Sequence, residues 1–416
     1  MDPLRYGMVG GGPGAFIGGV HRMAAALDGE YRLVAGAFSS TAGRSAVQGR
    51  ELGLDPDRVH GSFEELIEAE SALPPDERIE VVSIVTPNHL HHPAARAALE
   101  AGFHVVCDKP LTLTVEEAED LCRLAAEHDR VFCVTHNYTG YPLVKEAREL
   151  VRSGALGEVR KVVVEYSQGW LSTLLESEGH KQAEWRSDPA KAGISSALGD
   201  IGTHAHNLAE YVTGERVTAI FADLGSVVEG RTLEDDATLL LRLGGDSTRD
   251  APRTGGGGAD GPDASRSGAP PGIRGVLIAS QVSLGERNHL RLRVYGSEGA
   301  LDWCQEDPND LRLVDADGTE RILHTGSGAL SEAATAHTRL PGGHPEGFIE
   351  AFANLYRNVA RNIRARESGE APLPFATDFP SVQDGARGVH FLHAAVRSGR
   401  EGRWVDATYD PPGAGG

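Results

Sequence analysis

Apolar residues recur along the first third of the chain in short blocks, and their spacing changes from block to block. Residues 4–9 form an apolar run that ends in a glycine-rich turn, Gly10–Gly14. From Phe16 to Leu27 the apolar positions take helical spacing, and Tyr31–Phe38 is a second strand-like run. The pattern then predicts helix at Arg44–Leu52 and a short helix starting at Phe63–Ala69. Val81–Val85 is almost wholly apolar, which suits a strand buried on both faces of a parallel sheet. A helix over Pro93–Ala101 stops at Gly102, a residue that takes the left-handed cap position easily. His104–Cys107 is strand-like, and Val115–Asp129 is helical with acids near its start, where the helix dipole favours them. Val131–Thr135 closes the series. Strands alternating with helices predict an open parallel sheet with helices on both faces.

Beyond residue 136 the pattern changes. Helices are expected at Leu143–Ser153 and His204–Thr213, and strands at Val159–Tyr166, Val217–Leu224, Thr238–Leu243, Val276–Leu284, Leu290–Tyr295 and Ala300–Trp303. Leu290, Leu292 and Val294 alternate with Arg291 and Arg293, which gives one buried and one wet face. Two late helices, about Gly347–Arg366 and Val382–Ser398, complete the pattern. The expectation is an α/β chain: a doubly wound parallel-sheet domain over 1–136, then an α+β domain over 137–410 with a large, mainly antiparallel open sheet. Residues 244–272 contain no Val, Ile, Leu, Met or aromatic residue. Such a segment cannot bury enough surface to offset its ordering entropy, so it reads as a disordered insertion in a hairpin turn.

Composition narrows the partners. With 60 acids against 40 bases the formal net charge is −20, which disfavours nucleic acid and anionic membrane as partners. There is no apolar stretch of about 18 residues and no basic start with a long apolar core, so a cytoplasmic location is expected. Cys107, Cys122, Cys133 and Cys304 lack ligand spacing and read as reduced thiols; no metal site is expected.

The first glycine turn carries chemistry. Gly10-x-Gly12-x-x-Ala15 fits the relaxed dinucleotide fingerprint, with Gly14 and Phe16 beside it, after a strand and before a helix. Glycines let the backbone approach a pyrophosphate, and the helix N-terminus supplies free N–H groups. An acid at the end of the second strand would hold a ribose 2′-hydroxyl; here Ser39, Ser40 and Arg44 stand instead, which favours NADP over NAD. Loops after strand ends line the ligand crevice of such a sheet. Two of them are TPNHLHHP at Thr86–Pro93 and AGFHVVCDKP at Ala101–Pro110. A third motif, GDIGTH at Gly199–His204, opens a helix in the second half.

In this order the glycine turn, these three motifs and the late HPEGFIEAFANLY segment resemble the Gfo/Idh/MocA oxidoreductase family. The resemblance implies a Rossmann domain, an open-sheet second domain and oxidation or reduction of a carbinol on a sugar, cyclitol or related polyol with NAD(P). It also implies a homo-oligomer, dimer or tetramer. The usual Glu before the Lys-Pro pair is Asp108 here. Lys109 matches the family's catalytic lysine, and Asp200 and His204 match its acid and histidine. Chemistry agrees: a base with a pKa near 6.5, such as His204, can take the hydroxyl proton, while Lys109 stabilises charge on the oxygen. Asp200 and His204, four apart, would share a helical face. Thr86, Pro87, Asn88, His91 and Asp108 are further cofactor candidates, and Asn137, Tyr138, Lys181, Trp185 and Arg186 are substrate candidates. Two alternatives stand beside this reading: glycoside cleavage through a transient keto intermediate with no net redox, and dinucleotide-binding regulation without turnover, which predicts loss of the Lys109, Asp200 and His204 set that this sequence keeps.

Overall fold

The computed structural model describes residues 2–178, 183, 185, 188–244 and 272–413. The expected insertion at 244–272 therefore lies, apart from its two end residues, outside the described residues, as do Lys181 and Arg186.

The first half is β1 (Leu4–Gly10), α1 (Phe16–Leu27), β2 (Tyr31–Ala37), α2 (Ala42–Glu51), α3 (Phe63–Ser71), β3 (Val81–Val85), α4 (His91–Glu100), β4 (His104–Cys107), α5 (Val115–Glu127) and β5 (Phe132–Val134). All five strands run parallel in the order β2-β1-β3-β4-β5. Every residue of β3 is buried, as its near-continuous apolar sequence requires. α5 starts at a reciprocal cap. The Thr114 hydroxyl accepts from the Glu117 N–H, and the Glu117 carboxylate accepts from the Thr114 N–H.

The second half adds α6 (Pro142–Arg152), β6 (Val159–Ser167), a short α7 (Pro189–Ala192), α8 (Thr203–Thr213), β7 (Val217–Gly225), β8 (Asp236–Leu243), β9 (Ile273–Ser280), β10 (His289–Gly296), β11 (Gly299–Cys304), β12 (Asp310–Asp315), β13 (Glu320–His324), α9 (Glu332–Ala336), α10 (Phe348–Ser368), α11 (Val382–Glu401) and β14 (Val405–Asp406). The strands form one sheet, β13-β12-β11-β10-β6-β9-β8-β7-β14, antiparallel except for the β6–β9 pair. Leu290, Leu292 and Val294 point into the core, while Arg291 and Arg293 pair with Asp302 and Glu165 on the other face. The inner face packs on α6, α8 and α11 through Leu143, Val144, Leu208, Val212 and Phe391.

Three features differ from the sequence expectation. β12 and β13 extend the sheet beyond Trp303; β13 is mostly exposed, so burial leaves little mark on its sequence. β9 ends at Ser280 rather than Leu284, because Gln281 leaves the strand to bond a side chain of the cleft. The helices α10 and α11 also serve the parallel sheet. Phe352, Leu355, Tyr356 and Val359 of α10 pack with Met8, Val20 and Val85, and Val382, Ala386 and Val389 of α11 pack on the opposite face.

Candidate active site

A cleft of about 1210 Å³ runs along the C-terminal ends of β1, β2, β3 and β4 and across to the second sheet. Its floor is the turn after β1. A Cβ on Gly12 would lie 2.3 Å from the Phe38 carbonyl oxygen, and one on Gly18 would lie 2.3 Å from the Gly11 Cα. Glycine at these two points lets α1 seat against the turn and bring its N-terminus to the cleft. α1 has no side-chain cap and no acid in its first turn, so its leading N–H groups and positive dipole end stay available to an anion. Gly10, Gly12, Ala15 and Phe16 line the cleft; Phe16 is 73 % exposed at its mouth. Gly14 does not line it: with φ +80 it turns the exposed tip of the loop.

Ser39, Ser40 and the exposed Arg44 lie at the end of β2 within the same lining, and the Arg44 guanidinium reaches back to the Pro13 carbonyl at 3.5 Å. Glu64, from the first turn of α3, also faces this end. Thr86, Pro87 and Asn88 follow β3 in the lining, and the Asn88 amide donates to the Ala192 carbonyl of α7 at 3.1 Å. His91 is a correction. It is wholly buried outside the lining, because its ring nitrogens lie 2.9 Å from the Thr86 carbonyl and 2.8 Å from the Pro110 carbonyl. It ties the two motif loops together from behind rather than facing a ligand.

At the centre of the cleft, Lys109 at the end of β4 meets Asp200 from the second half. Lys109 Nζ lies 3.0 Å from Asp200 Oδ1 and also donates to the Asp200 carbonyl. Gln281 Nε2 holds Asp200 Oδ2 at 2.9 Å. The GDIGTH segment does not open directly as an α-helix. Leu198–Gly202 is a π-helical turn that runs into α8, so Asp200 and His204 are not on one regular α-helical face. The turn is anchored by buried Glu234, whose Oε1 accepts from the Ser195 hydroxyl (2.6 Å), the Ser196 N–H (2.9 Å) and the Leu198 N–H (3.0 Å).

His204 lines the cleft with its ring 4.8 Å from that of Tyr138 and 5.3 Å from that of His136. Its Nδ1 has no hydrogen-bond partner among the described residues. Burial, then the nearby Lys109 charge, pushes its pKa well below the ordinary histidine value, so the ring is neutral at physiological pH. Its neighbour His206 points away, stacked on Phe391 and paired with Glu210.

Asn137, Tyr138 and Trp185 line the substrate side. The motifs did not signal Tyr166, Gln168, Asn288 and Gln305, which line it too. Tyr138 and Tyr166 share a hydrogen bond of 2.5 Å, and Tyr166 and Gln168 both donate to Asn288 Oδ1 at 2.7 Å. These residues come from strand ends and turns of the second sheet, where no local spacing marks a site. Glu234 and Gln281 were silent for the same reason.

Among the described residues, Glu286, His289 and Glu306 bring ligand-type atoms within 4.8 Å of one another, but they are partly exposed and lie outside the cleft lining. No helix of the described residues is long and apolar enough to cross a membrane.

Comparison with known proteins agrees with this architecture. Residues 4–136 match the family model described as oxidoreductase family, NAD-binding Rossmann fold, and residues 144–250 match the GFO/IDH/MocA C-terminal domain. An oxidoreductase structure from Sinorhizobium meliloti is 42 % identical, with TM-score 0.82 over 97 % of this chain and 100 % of that one. An inositol dehydrogenase homologue from Azotobacter vinelandii, complexed with NADH and myo-inositol, is 35 % identical, with TM-score 0.85 over 97 % and 98 %. Levoglucosan dehydrogenase of Pseudarthrobacter phenanthrenivorans is 29 % identical over 98 % of both chains. A glycine turn feeding an uncapped helix, a cleft shared by two sheets and these full-length likenesses lead to one assignment: the chain belongs to the Gfo/Idh/MocA oxidoreductase family and is an NAD(P)-dependent oxidoreductase.

Proposed function

We propose that the protein interconverts a secondary alcohol and a ketone on a sugar, cyclitol or related polyol. The observation that carries this reading is the meeting of Lys109, Asp200 and His204 in the same cleft as the glycine turn. The residues fit a dinucleotide, since the first turn of α1 offers uncapped N–H groups free of any acid. The bound nicotinamide supplies a hydride acceptor or donor, and the chain supplies the proton chemistry. Neutral His204 accepts the hydroxyl proton as the carbonyl forms. Lys109, ion-paired with Asp200, donates a hydrogen bond to the substrate oxygen and stabilises its developing negative charge. Asp200, fixed by Gln281, orients the ammonium. Tyr138, Tyr166, Gln168 and Asn288 offer hydroxyl and amide groups that suit the hydroxyls of a polyol. Ser39, Ser40 and Arg44, with no acid at the end of β2, favour NADP as the cofactor.

The test is a panel of neutral cyclitols, pyranoses and anhydrosugars with NAD and NADP, read by absorbance of the reduced cofactor. Lys109→Ala and His204→Ala are each expected to lower kcat by about 10²–10⁴-fold. Undiminished turnover in both variants would overturn the assignment of roles. Glycoside cleavage without net reduction of added cofactor would redirect the substrate reading.

A further inference from the structure

Asp108, next to Lys109, is held from behind by a set of buried polar groups that the proposed proton chemistry does not use. Its Oδ1 accepts from the Thr135 hydroxyl at 2.6 Å and lies 3.3 Å from Nε2 of His21. His21 sits on α1 and is fully buried. Its Nδ1 lies 2.7 Å from the hydroxyl of Tyr356, a residue of α10, and that hydroxyl lies 3.0 Å from the hydroxyl of Ser83 on β3. The set thus joins α1, β3, the ends of β4 and β5, and a helix from the far end of the chain.

Counting donors orients the chain. With the imidazole proton on Nε2, that N–H donates to Asp108. The Tyr356 hydroxyl, 2.7 Å from Nδ1 against 3.3 Å for that of Ser83, is the donor to Nδ1, and Ser83 O–H donates to the Tyr356 oxygen. Every proton then has an acceptor. With Nδ1 also protonated, the ring offers no acceptor, and whichever hydroxyl accepts from it, one buried proton of Tyr356 or Ser83 is left without an acceptor among these groups. A buried donor left without an acceptor costs more than a typical hydrogen bond contributes, so the first arrangement wins. All dipoles then point at the carboxylate. With Oδ1 occupied, Oδ2 is the oxygen left for the cleft that Asp108 lines.

We infer that Tyr356 and His21 are positioning residues. Through a directed relay, Ser83 to Tyr356 to His21, they fix the orientation of the Asp108 carboxylate toward the nicotinamide end of the bound dinucleotide. The relay ties α10, whose Phe348 and Phe352 also line the cleft, to the Asp108 carboxylate. This inference rests on the dinucleotide reading of the cleft.

The experiment titrates the intact protein with reduced dinucleotide, followed by its fluorescence. The variants are Tyr356→Phe, His21→Met, His21→Gln, Asp108→Asn and the double variant Tyr356→Phe with Asp108→Asn. Tyr356→Phe and His21→Met are expected to weaken binding about five- to tenfold. His21→Gln, which keeps an N–H donor near the position of Nε2, restores most of the loss. In the Asp108→Asn background Tyr356→Phe changes nothing further, an interaction that general loosening of the fold would not produce. Losses that add in the double variant, or unchanged affinity in both single variants, overturn the inference. Ring ¹⁵N NMR of ligand-free wild type, with the His21 signals assigned through His21→Gln, tests the relay without the cofactor. A proton on Nε2 alone is expected; a ring protonated on Nδ1 overturns the relay. Wild type that binds no reduced dinucleotide while showing the expected tautomer would count against the dinucleotide reading and against this role of the relay, but not against its geometry.

Discussion

At the residue scale the cleft treats two basic side chains differently. Lys109 is ion-paired with Asp200, whereas His204 is stripped of water and kept neutral beside it. This fixes a pH expectation. A base titrates out as pH falls through its own pKa, and that of His204 lies well below about 6.5. With cofactor saturating, kcat/KM for alcohol oxidation should therefore not decline on account of His204 between about pH 8 and pH 6.5. A single-proton fall near pH 6.5 that disappears in His204→Asn would contradict this. Arg44 gives a second expectation. Its exposed guanidinium can pair with a 2′-phosphate only in high-dielectric surroundings. Arg44→Ala should lower kcat/KM with NADP by about tenfold, leave NAD nearly unchanged and reduce the salt sensitivity of the NADP reaction. Equal losses with both cofactors would remove Arg44 from the phosphate site.

At the scale of elements, two irregular pieces of backbone deliver the groups. One is the glycine turn, where Gly18 allows α1 to touch the turn itself. A Gly18→Ala methyl would meet backbone at 2.3 Å, so α1 must shift. Overpacking of this kind costs typically about 1–3 kcal/mol. The urea midpoint should drop accordingly, and dinucleotide affinity should fall more than substrate affinity, because the uncapped N–H groups of α1 are the anion site of the proposed function. A variant with unaltered cofactor affinity would show that the helix seat is not critical. The other piece is the π-helical turn Leu198–Gly202, held by Glu234 from the β7–β8 connection. A spacing of four residues suggests one shared helical face for Asp200 and His204, but the π turn breaks that face and sets where each side chain points.

At the scale of the whole molecule, buried neutral histidines set the response to acid. His104 and His136 are pushed down to about 3, mainly by burial, and His390 to about 4. In the unfolded chain these rings bind a proton near pH 6.5. Between that value and about pH 3 the unfolded state therefore holds more protons, and stability falls as pH falls. Glu210 and Asp378, lowered to about 2 despite burial by His206 and Lys145 respectively, act in the same direction below their unfolded values. Urea midpoints should be nearly level between about pH 7 and pH 8 and decline steadily below about pH 6. A midpoint that rises on acidification would contradict the neutral assignment of these rings.

Much of this protein can be read along the chain. The alternation of periods separates the parallel sheet from the open one, since each strand's own burial writes its pattern. The glycine turn, Lys109, Asp200 and His204 are legible because the chemistry needs particular residue types beside particular strand ends. Other features are not local. His91 reads as a loop ligand, yet two carbonyls from different loops enclose it. Tyr166, Gln168, Asn288, Glu234 and Gln281 enter the site from strands and turns distant in sequence, so no spacing announces them. Tyr356 reads as an apolar helix position, and only the packing of α10 on α1 brings its hydroxyl to His21. The sequence by itself determined the two architectures and marked Lys109, Asp200 and His204 as residues of one cleft, because those follow from local periodicity and side-chain chemistry. The tertiary structure alone decided the orientation of those groups, because orientation is set by contacts between segments that the chain order keeps apart.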